Sequence, residues 1–588
     1  MKSPIDLLSS ILTDMSRLEP CVKGLHRDDI TMRRRFKHEG NGFLTVTLPS
    51  LCDALDQGLA YSKFTCPSGF KRVRGGTIPV LLQGMFCEVF DSITGNLKQD
   101  ANLNAVKSLR EILRMFKKLS LDSEEEELLD REAKRKFFDV EEKCASPLNF
   151  DDTQLYIIKQ VGKFILPNLD VFEASELDYR HGPGAVVEGL TANQKWFAVA
   201  DHIDRLEYHG FDYLSWFSKS EPRSSYYRSL GDSAKLISVP KNSTSRRTIT
   251  VEPLLNQFIQ QGYNALLRSN IERCKILSRC LALTDQSKNQ ELALEGSRTG
   301  KWATLDLSSA SDLLSVRLVE LVFESKPAFL SGILGCRSTK VTDEESVPLV
   351  KFAGMGNATT FPIQSVVFAV VAIASLLGRL PPTYRNVMHV ARSVRVYGDD
   401  IIVPTNRSHT VVDWITSAGL VVNTRKSFTI GNFRESCGTD AFRGVDVTPL
   451  YVRYHPVNVS KKEPKTLAHY TSLCNQAWLR GLYSLSATFQ QIVEEAIGRR
   501  LPLVTAKCSA LGLVSRQETY SFQRWNKYLH RPELKGLCVL PVYRPDVLNG
   551  MGALIKCLSS NTMYYDEKHL ERTPVRFKTK ASLRWVAP

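Results

Sequence analysis

The sequence has no Cys-x-x-Cys pair. Its thirteen cysteines are scattered from Cys21 to Cys557, and the nearest two, Cys274 and Cys280, are spaced too widely for a zinc knuckle. An odd number of unframed cysteines in a long chain reads as reduced and cytosolic. The start, Met1-Lys2-Ser3-Pro4, lacks the apolar core of a secretory signal. The longest apolar run, Val366 to Leu377, is shorter than a membrane span and is expected to form a buried helix. These absences set the expectation of a soluble cytoplasmic protein with no membrane partner. There is also no internal repeat and no low-complexity linker. The chain has no Walker loop, no Gly-x-Ser-x-Gly elbow and no His-Glu-x-x-His, so those three catalytic systems do not compete.

What is present is charge of one sign. Lys and Arg outnumber Asp and Glu by 77 to 62 over 588 residues, a formal net charge of +15. Such an excess favours a polyanionic partner, because phosphates attract it and release counterions on binding. A hydrophobic content of 43% argues against wholesale disorder, and the length implies two to four subdomains.

In the N-terminal third, basic clusters (Arg33-Arg34-Arg35 with Lys37; Lys71-Arg72 with Arg74) stand beside Phe36, Phe64 and Phe70. That pairing suits RNA contact, although a solvated face is the commoner meaning. Val106, Leu109, Ile112, Leu113 and Phe116 recur at helical spacing. Glu124 to Glu127 followed by Arg131, Lys134 and Lys136 predicts a charged surface helix without a catalytic role. Lys241, Arg246 and Arg247 fall in a Ser/Thr/Asn-rich stretch read as a loop. From Lys301 to Leu307 the alternation predicts a strand, with Trp302, Thr304 and Asp306 on one face and Ala303, Leu305 and Leu307 towards the core. Ser311 is a candidate cap for a helix through Leu314, Leu318 and Leu321. Val394 to Val403 reads as a hairpin with Asp399 and Asp400 at its tip, because Gly398-Asp399 suits a tight turn. Beyond Lys461 the pattern is mostly helical, and the tail after Glu571 carries only positive charges.

Two-metal nucleotidyl transfer needs a few carboxylates held close together on rigid elements. A lone Gly-Asp-Asp turn is common. An ordered set is not: a basic segment, an aspartate strand ending at Asp306, a Gly354-Met355-Gly356-Asn357 turn opening an apolar helix, the Asp399-Asp400 hairpin, then Asn423-Thr424-Arg425-Lys426.

This order resembles the palm of RNA-dependent RNA polymerases. Val239-Pro240-Lys241-Asn242-Ser243, Asp306 to Asp312, Tyr397-Gly398-Asp399-Asp400-Ile401-Ile402, Phe433-Arg434-Glu435-Ser436-Cys437-Gly438 and Val445 to Pro449 are similar to the replicase catalytic subunits of leviviruses, the positive-strand RNA bacteriophages. The specific likeness covers about residues 236 to 453.

The resemblance implies a right-hand α+β fold whose palm is a small antiparallel sheet packed on helices. It divides the chain into an N-terminal region and fingers (1–235), fingers with the basic nucleotide-binding segment (236–295), a palm (296–455, with a fingers insertion near 325–350), and a thumb with the basic C-terminal region (456–588).

It also implies residue roles. Asp306, Asp399 and Asp400 are metal ligands for two Mg²⁺, with Mn²⁺ able to substitute, and the Leu307 carbonyl can add an oxygen. Asp312 and Asn357 read the ribose 2′-hydroxyl; the bland alternative for Asp312 is a first-turn helix acid. Gly354 and Gly356 allow close backbone approach to template or nucleotide, or serve a turn. Lys241, Arg247 and Arg246 bind the triphosphate, although the pattern fixes only one arginine there. Lys426 is the general acid, against the alternative of a surface lysine. Glu435 could pair with Arg434 or Arg443, and the Cys437 thiol is expected to be packed rather than reactive. Expected partners are RNA template and product, ribonucleoside triphosphates, host elongation factors Tu and Ts and, in some cases, a ribosomal small-subunit protein, in the cytoplasm of an infected bacterium. A reverse transcriptase shares the palm but carries a bulky aromatic near Asp312. A palm-like nucleotide cyclase lacks the upstream basic segment. A non-catalytic basic RNA-binding protein explains the charge but not the ordered aspartates.

Overall fold

The computed structural model describes residues 3–120, 126–172, 177–200, 233–514, 519–543, 546–559, 570–571 and 577–588. The architecture is α+β, with helices interleaved with several small sheets.

Near the N-terminus, α1 (Pro4–Leu18), α2 (Leu48–Tyr61) and α3 (Leu103–Arg114) bury one face each. The periodic run from Val106 is helical as far as Arg114, with Phe116 in the turn just beyond, and Asn102 caps α3 by accepting from the backbone N–H of Asn104 and Ala105. Helix α4 (Glu126–Cys144) carries the predicted surface pairs, Glu127 with Arg131 and Asp130 with Lys134. Its opposite face buries Phe137, Val140, Glu141 and Cys144. Glu124 and Glu125 lie outside the described residues.

The stretch read as a basic loop is a hairpin, β1 (Ser233–Asn242) and β2 (Ser245–Val251), turning at Ser243-Thr244. The β-branched run Thr248 to Val251 carries a strand signal that the polar turn residues obscured. Then come α5 (Leu254–Arg273), α6 (Ser287–Thr299), β3 (Trp302–Leu305) and β4 (Leu307–Ser308). Thr304, expected on an open face, is buried along with Ala303 and Leu305. Helix α7 (Val316–Phe323) is capped by Ser315, whose hydroxyl accepts from Leu318 N–H at 3.2 Å, so Ser311 is not its cap. Strands β5 (Lys340–Thr342) and β6 (Ser346–Pro348) complete a four-stranded sheet ordered β2-β1-β5-β6.

Helix α8 (Thr360–Leu377) is long and apolar enough to cross a membrane, but 94% of it is buried inside the protein, as the apolar run predicted. It belongs to a core drawing on residues from Val140 to Leu420, with Leu548 and Ile555 joining from the C-terminal region. Strands β7 (Arg395–Tyr397) and β8 (Asp400–Pro404) form the expected hairpin, followed by α9 (Ser408–Ser417), β9 (Val421–Val422), and the meander β10 (Phe433–Ser436), β11 (Thr439–Phe442) and β12 (Val445–Asp446). Helices α10 (Pro464–Leu479) and α11 (Tyr483–Ile497) bear out the helical pattern after Lys461. Past them the chain turns to strands: β13 (Leu503–Val504), β14 (Leu513–Val514), β15 (Arg524–Asn526), β16 (Arg531–Tyr543) and β17 (Phe577–Val586). The described part of the basic tail is therefore largely an edge strand paired along β16, and Arg572 and Arg576 lie outside the described residues.

A second core joins the N-terminal helices to Phe428, Phe433, Phe442 and the α10–α11 pair. Phe64 and Phe70 belong to it, and the Arg35 guanidinium lies over the rings of Phe43 and Phe70. Those aromatics are packing residues, not a stacking surface for bases.

Candidate active site

Three strand registers assemble the site. In the sheet β3-β8-β7, Leu305 pairs with Ile401 and Tyr397 with Asp400. The residue after Leu305 therefore falls beside the β7–β8 turn, and Asp306 comes up against Asp399 and Asp400. The turn closes tightly because Gly398 has φ +62°, and a Cβ there would sit 2.8 Å from the Phe361 ring. In the third register, Leu307 pairs with Val422, which lays Asn423 against Asp306. The Asn423 backbone N–H donates to Asp306 O at 2.8 Å, and its amide donates to Asp306 Oδ2 at 2.7 Å.

The electrostatics follow from that crowding. Burial raises the Asp306 carboxyl and Asp399 raises it further, while Lys426 and the Asn423 amide pull it down; the net position is about 6. Asp400 is pushed up to about 7 by burial and by Asp399, against the backbone N–H of Cys437. Asp399 is exposed at the tip. Asp400 opens β8 below it, with its carboxylate turned to the Ser436 hydroxyl (3.3 Å) and the Cys437 N–H (3.1 Å). Among the described residues, no three His, Cys, Asp or Glu side chains form a ready-made ligand cluster. The pair Asp306 and Asp399 stands at the centre of the site.

Positive charge converges on it from three directions. Lys241, on β1, is lowered by burial, by Arg247, Lys426 and Lys136, and raised by Asp306. Arg247 is exposed on β2, and its side chain makes no hydrogen bond or ion pair among the described residues. Arg246 points elsewhere. It donates to Ser238 Oγ (2.6 Å), Ser238 O (2.9 Å) and Glu126 Oε1 (2.6 Å), pinning the hairpin to α4. Adjacent residues of a strand face opposite ways, so only one of the two arginines can look into the site. Lys426 donates to Glu435 Oε1 at 3.0 Å; burial lowers its pKa, but Glu435 and Asp306 outweigh that and hold it above the usual lysine value. Lys117 and Lys118, just past α3, feel the Lys426 charge and extend the basic face.

The block from Phe433 to Gly438 thus acquires a role. Glu435 pairs with Lys426, not with Arg434 or Arg443. Arg434 is fully buried and donates to four backbone carbonyls, among them Trp302 O at 2.5 Å. Arg443 donates to the carbonyls of Lys98 and Gln99. Burial and the Asp400 charge push the Cys437 thiol well above its ordinary range, so it is packed rather than reactive.

Asp312 precedes α7 by four residues and is not a first-turn acid of that helix. Its Oδ1 accepts from Lys351 Nζ at 3.3 Å. Asn357 is buried; its Oδ1 accepts from the N–H (2.8 Å) and hydroxyl (2.7 Å) of Thr359, and its Nδ2 donor has no partner among the described residues. A buried amide donor left open in this way is available to a water or to a bound group. Gly354 and Gly356 are explained by packing. A Cβ at Gly356, where φ is +136°, would lie 1.8 Å from Thr250 O, and one at Gly354 would lie 2.3 Å from Thr250 Cγ2. The close approach they permit is to β2, which couples the Asn357 turn to the basic hairpin through Thr250 N–H and Met355 O (2.7 Å).

Asn423, Glu435, Lys351 and Lys136 were given no such partners by sequence reasoning. Only Asn423 carried a usable signal, as a polar residue next to β9 in the Lys426 segment.

Residues 206–462 match the family described as RNA replicase, beta-chain. The RNA-directed RNA polymerase subunit beta of Enterobacteria phage SP is 40% identical over 224 residues, 38% of this chain and 36% of that protein. The subunit of the same name from Escherichia virus Qbeta is 38% identical over 232 residues (38% and 36%), and the polymerase beta chain of Escherichia phage MS2 is 37% identical over 219 residues (37% and 37%). The matched stretch thus spans little more than a third of each relative's length. Through this central segment, which contains Lys241, Arg247, Asp306, Asp312, Asn357, Asp399, Asp400, Asn423, Lys426 and Glu435, the chain resembles the replicase beta subunits of the RNA bacteriophages.

Proposed function

We propose that the chain is an RNA-dependent RNA polymerase, the catalytic subunit of a levivirus-type replicase. The observation that carries this reading is the convergence of Asp306, Asp399, Lys241 and Lys426 from four separate chain segments onto one site.

The donor set suits Mg²⁺, which takes one or two carboxylates and fills the remaining positions with water and phosphate oxygens. Asp306 and Asp399 would hold it, with the Leu307 carbonyl as an added oxygen and Asp400 at the margin. Bound there, two Mg²⁺ ions, or Mn²⁺ in their place, would activate the attacking 3′-hydroxyl and neutralise the departing pyrophosphate. The chain's own residues do the rest. Asn423 orients Asp306. Arg247 presents an unengaged fork to the triphosphate, and Lys241 adds a point charge. Lys426, kept protonated by Glu435, donates its proton to the pyrophosphate oxygen. The Asn357 amide and the Asp312 carboxylate receive the ribose 2′-hydroxyl, which both donates and accepts; a deoxynucleotide leaves those groups unpaired.

In this reading the fold is a right hand, with fingers in 1–235 and 236–295, the palm in 296–455 and the thumb from 456. Template and product RNA and ribonucleoside triphosphates are its partners in the bacterial cytoplasm. The relatives are named as beta subunits or chains, and host elongation factors Tu and Ts, with a ribosomal small-subunit protein in some cases, are the companions we propose.

The test is labelled nucleotide incorporation on an RNA template with Mg²⁺, with and without bacterial extract, for wild type and Asp399→Asn. Template-length RNA from wild type alone supports the reading. Near-normal synthesis by Asp399→Asn removes the metal assignment, and incorporation of deoxynucleotides in preference to ribonucleotides turns the reading to reverse transcription.

A further inference from the structure

Lys351 has no exposed surface, yet its ammonium touches Asp312. Nζ lies 3.3 Å from Asp312 Oδ1, 3.2 Å from Glu141 Oε2, and 3.4 Å from the centre of the Phe137 ring. An ammonium has three N–H groups; two carboxylates and one ring face occupy its surroundings. Glu141 is itself fixed, because its Oε1 accepts from the backbone N–H groups of Val350 and Lys351. The backbone around Lys351 is stitched to the segment after Asp312 by Phe352 N–H to Leu314 O (2.6 Å) and Val316 N–H to Val350 O (3.3 Å). The cation therefore has one place to be, and it holds one oxygen of Asp312. The other oxygen, Oδ2, has no hydrogen bond among the described residues, and the Asp312 side chain keeps 19% of its surface open while Lys351 keeps none.

We propose that Lys351 is a positioning residue for ribose selection. Anchored by Glu141 and Phe137 on α4, it keeps Asp312 turned so that Oδ2 accepts from a 2′-hydroxyl while the Asn357 Nδ2, without a partner among the described residues, donates to it. This rests on the polymerase reading above and names a device within that site. A plain structural ion pair would be replaceable by apolar residues without loss. This one spends a buried cation on a carboxylate that also faces the site.

The experiment compares incorporation of GTP and dGTP opposite the same template base by the full chain. The reactions are supplemented with bacterial extract if wild type needs it. Lys351→Met is expected to lower the GTP-over-dGTP preference at least about tenfold, because the site's polar groups are no longer aligned to a 2′-hydroxyl. Since Lys351→Met leaves Glu141 uncompensated, the double variant Lys351→Met, Glu141→Gln removes both buried charges while residue 141 still accepts from the two backbone N–H groups. It is expected to show the same loss. Glu141→Gln alone leaves Lys351 against Asp312 and the Phe137 ring but takes away one of its anchors, so it should lower the ratio by much less than the double variant. An unchanged ratio in the double variant, or an equal fall in Glu141→Gln, overturns the inference while leaving the polymerase reading standing. Absence of incorporation by wild type overturns both.

Discussion

The side-chain amide of Asn423 donates to Asp306 Oδ2 at 2.7 Å while its backbone N–H donates to the Asp306 carbonyl, so one residue holds another at both ends. The amide does two things to the carboxylate: it sets the direction of the remaining lone pairs, and it opposes the burial that raises the Asp306 pKa. Partners of this kind, once removed, typically cost about 10- to 100-fold in metal affinity or activity. Asn423→Ala is therefore expected to shift the Mg²⁺ concentration for half-maximal nucleotide incorporation upward by that order, with little change in melting temperature. An unchanged Mg²⁺ titration would reduce Asn423 to a strand-end residue.

The crowded carboxylates make stability depend on pH in a stated direction. Asp306 and Asp400 sit near 6 and 7 in the folded chain, against an ordinary value of 3.8. Between those limits the folded state binds more protons than the unfolded one, so stability falls as pH rises from about 4 to about 7. Glu111, raised to about 7 by burial, adds the same sign, so the informative quantity is the difference between variants. In chelator, Asp400→Asn should lose less melting temperature between pH 5 and pH 8 than wild type does. Added Mg²⁺ should narrow that gap. Parallel slopes for the two proteins would show that Asp400 is not under this strain.

How much of this was legible in the sequence depends on the range of each interaction. Asp306, Asp399 and the buried helix α8 follow from local alternation, a tight-turn dipeptide and an unbroken apolar run, all readable within ten or so residues. Arg246 and Arg247 show where local reading slips. Taken as a loop they are equivalent, but as strand neighbours one pins the hairpin to Glu126 and the other faces the site. The Lys351–Glu141 pair joins residues 210 positions apart, and Lys426–Glu435 depends on the turn that folds β10 beneath β8. Nothing in either neighbourhood announces its partner. Phe64 and Phe70 misled for the same reason: adjacent arginines suggested a surface, whereas the second core claims both rings.

Gly356 offers a sharp test of the packing that sets the Asn357 turn. Its φ of +136° and the 1.8 Å separation between an added Cβ and Thr250 O mean that alanine must displace backbone. Gly356→Ala is expected to lower unfolding free energy by more than about 2 kcal/mol, from combined strain and clash. Gly300→Ala, at φ +70° with open space around the Cβ, is expected to cost about 1 kcal/mol for the left-handed backbone alone. Urea midpoints of the two variants decide it. Equal losses would mean that the β2 contact relaxes freely and that Gly356 has some other reason to be glycine.

The N-terminal helices are tied to the site's supporting meander by Arg110. This fully buried residue of α3 pairs with Asp56 on α2 and Asp440 on β11, donates to Val447 O at 2.9 Å, and lies over the Phe433 ring. Removing it does not affect the two carboxylates equally. Arg114 still reaches Asp56 at 2.9 Å, so Asp440 becomes the uncompensated charge. Breaking a buried pair from one side costs about 3 to 5 kcal/mol, chiefly because the remaining charge stays desolvated. Arg110→Met is expected to lose that much at pH 8. The loss should shrink as pH falls, because burial already raises the Asp440 carboxyl and without Arg110 it takes up a proton more readily still. Protonation then removes the very charge that carries the penalty. The double variant Arg110→Met, Asp440→Asn should recover most of the loss at pH 8 and show little of the pH dependence. A single variant whose deficit is the same at pH 5 and pH 8 would locate the cost in lost packing against Phe433 rather than in the orphaned carboxylate.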